Sequence, residues 1–362
     1  MVGNGREIPL ATYRVTVGAG ALDRAGEITH SVAPAHRYAI ITDSNVGPLH
    51  APRLRAALGN AQIHLLTIPS GEAHKTRDTW SALTDELLAT GFGRDSTIIA
   101  LGGGVVGDLA GFVAATFMRG VPYIQIPTSL LAMIDASVGG KTGVDTAAGK
   151  NLVGAFHQPA AVIADIRVLE TLPRDHLRAG FAEAIKHGVI ADAEYFATTA
   201  RLAADLDALD VSGAEMLDVV ARSIEIKAKV VGQDEREAGI RKTLNFGHTL
   251  GHAIELCSNY EILHGAAVAT GMVYEARLAE MLGLAESGTA DRVSEAVAAA
   301  ELPTTKPASM SIDEIVRASH TDKKSRGGRV EYALPLRIGV MNSAEGRWSV
   351  PVNDDLATKA LQ

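Results

Sequence analysis

Four side chains in this sequence have the types and spacing to hold a divalent metal ion. In Leu244-Asn-Phe-Gly-His-Thr-Leu-Gly-His252, His248 and His252 stand four residues apart, which puts both imidazoles on one helical face. A third imidazole, His264, follows in Leu263-His-Gly265 at an expected helix start, and Phe181-Ala-Glu-Ala-Ile-Lys-His187 offers the carboxylate of Glu183. Two imidazoles and one carboxylate leave a coordination position open, the arrangement of a catalytic Zn²⁺ site. The same residues also have plainer readings. Histidines four apart are more often structural than ligands, and twelve histidines in one chain produce such pairs by chance. Glu183 has Lys186 one helical turn away as an ordinary ion-pair partner. Cys257, the single cysteine, reads as a buried apolar residue.

A second set of residues suits a dinucleotide. Gly102, Gly104 and Gly107 of Leu101-Gly-Gly-Gly-Val-Val-Gly-Asp108 satisfy G-x-G-x-x-G between an expected strand and an expected helix. Glycine lets a pyrophosphate approach the backbone, and the helix N-terminus offers unpaired N–H groups. A tight strand-to-helix turn explains the glycines equally well. At least two βα units precede this loop, whereas the dinucleotide fingerprint normally occupies the first. Ser70-Gly-Glu-Ala-His-Lys75 is another glycine turn after a strand, and Asp43 closes the strand before it, placed to accept from a ribose hydroxyl. Two such loops in one sheet argue for dinucleotide binding. Gly139-Gly-Lys-Thr-Gly143 is similar to the end of a P-loop, yet Asp135 stands where the first Walker glycine belongs, so nucleotide hydrolysis is not expected. Arg119, Thr128, Ser129, Asp135, Lys141, Lys150 and Asn151 gather in this stretch among small residues. A flexible loop with solvated lysines is the plain reading, and their apolar surroundings argue against it.

The elements that must position these groups change character along the chain. Short β-rich runs at 38–42, 63–68, 96–101, 123–126 and 161–164 alternate with helical patterns, which implies a largely parallel α/β sheet. After Pro173, helix-period stretches follow one another at 175–187, 195–209, 214–231, 249–257, 268–282 and 291–300, with one strand-like piece at 329–334. A boundary near 170–175 separates the two halves. With 362 residues, 47% of them apolar, the chain has material for about two domains. The longest run without Asp, Glu, Lys or Arg, residues 56–71, contains Gly59, Asn60 and Pro69 and does not span a bilayer, and no signal peptide is evident. One cysteine and these absences lead us to expect a cytoplasmic protein. A net charge of −8 without basic runs makes nucleic acid a poor partner.

Taken together, the motifs resemble those of one family along nearly the whole chain. Leu101–Gly111, Gln125-Ile-Pro-Thr-Ser-Leu-Leu131, Asp135–Gly143, Gly149-Lys-Asn-Leu-Val-Gly-Ala-Phe156, Glu225-Ile-Lys-Ala-Lys229, Leu244–Glu255 and His264-Gly265 are similar to those of the 3-dehydroquinate synthases, members of the sugar-phosphate cyclase superfamily. The resemblance implies an α/β N-terminal NAD-binding domain with a Rossmann-like parallel sheet (residues 1–172), then an all-α C-terminal metal- and substrate-binding domain (residues 173–362), in a homodimer. It implies that Glu183, His248 and His264 bind Zn²⁺ or Co²⁺, with His252 adjacent. NAD contacts would come from Asp43, Ser70, Gly71, Glu72, Lys75, Gly104, Val105, Val106, Gly107, Asp108, Thr128, Ser129, Asp135, Lys141, Lys150, Val168, Leu169, Glu170 and Thr171. Substrate and catalysis would engage Arg119, Asp135, Lys141, Asn151, Lys186, Lys227, Arg241, Asn245, His252 and Lys324, the second lysine of Asp322-Lys-Lys324. His157 departs from the family pattern, standing where many members carry an aromatic residue.

The implied reaction turns the anionic sugar phosphate DAHP into 3-dehydroquinate and phosphate, with transient oxidation by NAD and no net redox change. A substrate with a carboxylate and a phosphate explains internal lysines and arginines in an acidic protein. Lys227, next to Ile224, Ala228 and Val231 on one helix side, would be costly to bury unless it met an anion. From sequence, Lys227→Met is therefore expected to leave the free protein as stable or slightly more so. The rivals are a metal-dependent polyol dehydrogenase of the glycerol-dehydrogenase type, another cyclase such as a 2-deoxy-scyllo-inosose or amino-DAHP enzyme, and an inactive NAD-binding regulator. Neutral polyols need fewer internal cations, and the complete Glu/His/His set argues against an inactive regulator.

Overall fold

Apolar runs flanked by helical stretches form strands buried on both faces, as a parallel sheet between helices requires. The computed structural model describes residues 5–147, 149–320, 325–326, 329–343 and 346–362. Its described residues form two compact units, Met1–Pro173 with Asp210–Ala228, and Arg174–Leu209 with Lys229–Gln362. Segment 210–228, read from sequence as part of the second half, therefore belongs to the first unit.

In the first unit, β1 (Gly5–Pro9), β2 (Arg14–Gly18), β3 (Arg37–Asp43), β4 (Gln62–Ile68), β5 (Ser96–Gly102) and β6 (Tyr123–Pro127) are followed by β7 (Lys141–Thr146), β8 (Gly149–Phe156) and β9 (Ala161–Asp165). Helices α1 (Ala25–Val32), α2 (Val46–Leu58), α3 (Arg77–Ala89) and α4 (Gly104–Thr116) lie between them. Among the described residues, seven strands form one sheet in the order β1-β2-β9-β6-β5-β3-β4, antiparallel only at β1–β2. The chain passes from β3 to β4, then crosses to the other side of β3 to make β5. Strand order thus reverses between β3 and β5, whose C-terminal ends lie side by side with Thr42 opposite Leu101. Ligands of open α/β sheets bind at such a switch point. Ile41, Ile98, Ala100, Leu109 and Val113 are central to the core that fixes α4 against the sheet.

Four strands of this unit, β1, β2 and the β7–β8 pair, escaped the sequence reading. β1 is an edge strand burying only Ile8, too little for an apolar pattern to register. Residues 141–156, where the sequence reading placed no strand, form the β7–β8 hairpin. Its glycines serve close approach: a Cβ on Gly154 would lie 2.1 Å from the Thr142 carbonyl oxygen.

The second unit contains α5 (Arg174–Ala191), α6 (Ala193–Ala203), α8 (His248–Cys257), α9 (His264–Met281), α10 (Thr289–Ala299), α11 (Ile312–Ser319) and α12 (Asp354–Ala360). Helix α7 (Ala214–Gln233) contributes its residues through Ala228 to the first unit. The helical character expected after Pro173 is present, but the region is not all-α. Strands β10 (Ser325–Arg326), β11 (Arg329–Tyr332) and β14 (Val350–Val352) form one small sheet, and β12 (Pro335–Arg337) with β13 (Val340–Met341) another. The strand-like piece expected at 329–334 is β11, whereas the other four strands, of two or three residues, are too short for alternation to show in sequence. Leu250, Ile254, Tyr274, Leu278, Ile315 and Tyr332 share this unit's core. No helix among the described residues is long and apolar enough to cross a membrane.

Candidate functional site

Three helices of the second unit bring the metal-suited side chains together. Glu183 lies inside α5, His248 opens α8 and His264 opens α9. Glycines set the approach. A Cβ on Gly265 would lie 2.0 Å from the Ala179 carbonyl oxygen, so α9 begins in backbone contact with α5 one turn before Glu183. A Cβ on Gly271 would lie 2.0 Å from the Gly247 carbonyl oxygen, so α8 and α9 also meet backbone to backbone. Gly265, Gly271 and Gly247 therefore position histidines by having no side chain.

The resulting geometry is convergent. His248 Nε2 lies 3.4 Å, and His264 Nε2 3.6 Å, from the same Oε1 of fully buried Glu183. The other ring nitrogens are engaged: His248 Nδ1 is 3.1 Å from the Phe246 carbonyl and His264 Nδ1 is 3.1 Å from Glu255 Oε2. A proton on Nδ1 and none on Nε2 is the form in which each imidazole would bind a metal, and two such nitrogens directed at one carboxylate are a donor set that fits Zn²⁺ or Co²⁺. Glu183 Oε2 pairs with Lys186, itself 1% exposed, so the ordinary helix ion pair and the convergent carboxylate are both present. Burial, reinforced by the Lys186 charge, holds His248 well below the usual imidazole range and therefore neutral, the form a metal requires. At His264 burial acts in the same direction, but Glu183 and Glu255 overcome it and push its pKa up to about 10. The His252 ring centroid stands 5.2 Å from that of His248 and 5.7 Å from that of His264, with ligand atoms of all three within 4.8 Å of one another.

Glu255 and Glu275 were missed by the sequence reading. Glu275, fully buried in α9, accepts the N–H groups of Gly247 and Leu250 at 2.7 and 3.0 Å and so caps the first turn of α8. An acidic residue within an apolar helical stretch, Ala253-Ile-Glu-Leu256 or Val273-Tyr-Glu-Ala276, was the available signal.

The first unit gathers the dinucleotide candidates at its switch point. A Cβ on Gly102 would meet the Val106 side chain at 2.5 Å, and one on Gly107 would meet Gln125 Nε2 at 2.4 Å, so these two glycines serve strand–helix packing. At Gly103 and Gly104, by contrast, an added Cβ meets nothing nearer than 3.5 Å, which leaves space at the N-terminus of α4. Asp43 spends Oδ1 on the N–H groups of Asn45 and Val46, at 2.8 and 2.9 Å, ahead of α2. The Ser70 N–H donates to Ser44 Oγ at 3.1 Å, tying the 70–75 turn to the end of β3. The Thr128 N–H donates to the Gly102 carbonyl at 2.9 Å, and Ser129 stands beside Gly103. Buried Lys75 binds Asp108 at 2.5 Å and Asn151 Oδ1 at 2.7 Å. Burial opposes its charge, yet Asp108, Glu72 and Asp145 together raise its pKa. Lys150 reaches Glu72 at 3.5 Å. Val106, Val168 and Leu169 are buried in the core, whereas Val105 is half-buried. Glu170 and Thr171 are exposed at their end of the unit, where Thr171 Oγ1 meets His50 Nε2 at 3.0 Å.

Family models described as 3-dehydroquinate synthase N-terminal and 3-dehydroquinate synthase C-terminal match residues 65–179 and 180–325, more than half of the chain. The chain belongs to the 3-dehydroquinate synthase family. It is 45% identical over 331 residues to a 3-dehydroquinate synthase of Symbiobacterium thermophilum, covering 90% of this chain and 92% of that one. It is 46% identical over 341 residues to one of Caulobacter vibrioides, covering 90% of each. Among solved structures, 2-epi-5-epi-valiolone synthase from Streptomyces hygroscopicus, with NAD⁺ and Zn²⁺ bound, superposes with TM-score 0.87 at 30% identity over 98% of this chain and 97% of that one. A 2-deoxy-scyllo-inosose synthase with carbaglucose-6-phosphate, NAD⁺ and Co²⁺ gives 0.88 at 27% identity over 99% of both chains. A probable glycerol dehydrogenase from Sinorhizobium meliloti, at 0.66 and 15% identity over 96% of this chain and 94% of that one, shares the fold.

The remaining residues expected from the family resemblance divide between the units. In the first, Lys227 Nζ lies 2.7 Å from Asp135 Oδ1 and 2.5 Å from its carbonyl oxygen. This corrects the expectation of a lysine whose anion arrives only with substrate, because the chain supplies a carboxylate itself. Asn151, at a left-handed φ of 54°, receives the Lys75 bond and donates its own N–H to Asp145 Oδ1 at 2.8 Å. Burial, aided by Glu72, raises Asp145 to about 6. Lys141 opens β7 with an exposed side chain, and Arg119 is exposed in a left-handed turn after α4. His157 stacks on Tyr123 and bonds the Val121 carbonyl at 3.0 Å, so it fills the aromatic position as a packing residue. In the second unit, Arg241 is 2% exposed with Nη1 2.5 Å from the Glu235 carbonyl, and Asn245 donates to Glu237 Oε1 at 2.6 Å. Lys324 lies outside the described residues.

Proposed function

We propose that this chain converts DAHP to 3-dehydroquinate and phosphate, with NAD held by residues 1–172 and Zn²⁺ or Co²⁺ by Glu183, His248 and His264. The observation that carries this reading is the convergence of two imidazole Nε2 atoms on one buried carboxylate, in a chain 45% identical to a 3-dehydroquinate synthase over 90% of its length. With NAD and the metal bound, a substrate alcohol would be oxidised to a ketone that acidifies the neighbouring C–H, phosphate would leave by β-elimination, the ketone would be reduced again, the sugar ring would open, and an intramolecular aldol step would close the carbocycle. NAD, when bound, supplies the reversible hydride acceptor, and the metal a Lewis acid for that alcohol.

The protein's own groups supply the rest. Lys186 balances the charge of Glu183, and the Phe246 carbonyl holds His248 in the tautomer that presents Nε2. By the family resemblance, Lys141, Lys227 and Arg241 are the candidates for the cations that a desolvated carboxylate and phosphate require. Purified protein with DAHP is expected to release phosphate only when NAD⁺ is present, in catalytic amounts, without accumulating NADH absorbance. Stoichiometric NADH from a neutral polyol, without phosphate release, would establish the dehydrogenase alternative.

The homodimer belongs to the same reading. Strand β8 pairs with β7 on one side and carries Leu152, Val153 and Phe156 at 44, 38 and 56% exposure, an apolar edge that a second copy would cover. Sedimentation at micromolar concentration is expected to give twice the chain mass of 37.9 kDa, and a monomer mass would remove this element. With its single cysteine, the chain fits the reducing cytoplasm.

A further inference from the structure

The two candidate histidine ligands are held differently. His248 sits in a capped first turn, its side chain 11% exposed, with Nδ1 on a neutral backbone carbonyl. His264 is 31% exposed, begins its helix, and follows a connection whose Asn259 and Tyr260 adopt left-handed φ values of 51° and 63°. Its Nδ1 meets a carboxylate, Glu255 Oε2, at 3.1 Å. Glu255 comes from α8, and its side chain is only 4% exposed. Burying a carboxylate is unfavourable unless it meets a proton donor. The contact therefore ties the looser of the two imidazoles back to the helix that carries the firmer one.

We propose that Glu255 is the positioning residue of the metal centre: it fixes the tautomer and ring orientation of His264 and makes its Nε2 a stronger donor. A carboxylate on the far nitrogen of a metal-bound imidazole has this effect generally. The proposal rests on the reading that His264 binds the metal, and the experiment separates the two.

Metal-depleted wild type, Glu255→Gln, Glu255→Ala, His264→Ala and the double variant Glu255→Ala/His264→Ala would be titrated with Zn²⁺ against a competing chelator. Visible spectra of the Co²⁺ forms and thermal melts of the metal-free forms would accompany the titrations. Glu255→Ala is expected to weaken metal binding up to ~100-fold, and Glu255→Gln, which keeps the shape but not the charge, ~10-fold. The Co²⁺ bands shift in both. In the His264→Ala background the Glu255 change should weaken binding no further, which a merely structural glutamate would not predict. Should the alanine variant fail to fold, the nearly isosteric Gln variant decides. Wild-type affinity and spectrum in Glu255→Gln, with weakened binding in His264→Ala, overturns the positioning role alone. Wild-type affinity in His264→Ala overturns the ligand assignment, and the proposal falls with it.

Discussion

Exhaustive chelation is expected to stop phosphate release from DAHP, and added Zn²⁺ or Co²⁺ to restore it. Glu183→Gln should reproduce the chelated state by removing the charge on which both Nε2 atoms converge, at 3.4 and 3.6 Å. A Lewis acid contributes several kcal/mol to this kind of chemistry, so kcat/KM should fall ~1,000-fold or more. Gln is the informative substitution because Lys186 is 1% exposed and pairs with Glu183. Glu183→Ala would strand that buried ammonium without shape or dipole beside it, and breaking a buried pair costs about 3–5 kcal/mol. His252→Ala should retain bound metal, which distinguishes a Glu/His/His centre from one made by the three neighbouring histidines. Full activity after chelation would remove the metal from the mechanism.

Lys227→Met is expected to lower kcat/KM for DAHP ~100-fold, about 2.7 kcal/mol of transition-state binding. The structure changes what should happen to stability. Lys227 pairs at 2.7 Å with Asp135, whose side chain is 25% exposed, so removing the lysine takes a close cation away from a largely buried carboxylate. A loss of about 1–3 kcal/mol in the free protein follows, where the sequence alone suggested none. Asp135→Asn/Lys227→Met should recover much of that stability without recovering turnover, since neutralising both partners removes the carboxylate's charge along with its cation. Thermal melts of the free proteins alongside phosphate-release kinetics separate the two effects. A folded Lys227→Met enzyme with near-normal kinetics would end the assignment of Lys227 to substrate.

Some of this protein was legible because local chemistry leaves local traces. The alternation of strands and helices up to residue 165 follows from apolar runs of strand length, and those runs are β3, β4, β5, β6 and β9. The four-residue spacing of His248 and His252 specified one helix face before any contact was known. The glycines of 102–107 marked a strand-to-helix turn, although spacing alone did not say that Gly102 and Gly107 serve packing while Gly103 and Gly104 leave space. Gly139, Gly140 and Gly143 did not reveal the hairpin that begins there. Glycine reports tolerance of close approach as readily as flexibility, and at Gly143 the close approach is to a partner strand.

The sequence by itself determined the kinds of groups available: two histidines one helical turn apart, a third at a helix start, a glycine turn after a strand, and a family pattern along most of the chain. Only the tertiary structure decided which of them meet. Helical periodicity reports that one face is buried but not what it is buried against, so it could not bring Glu183 to His248 and His264 across 65 and 81 positions of sequence. It could not give Lys227 its carboxylate 92 residues away, nor assign 210–228 to the first unit. It was equally silent on Glu255 and Glu275, acidic residues on apolar helix stretches whose purpose appears only when α8 and α9 pack through glycine. Each is a long-range contact set by packing, and packing depends on the whole chain.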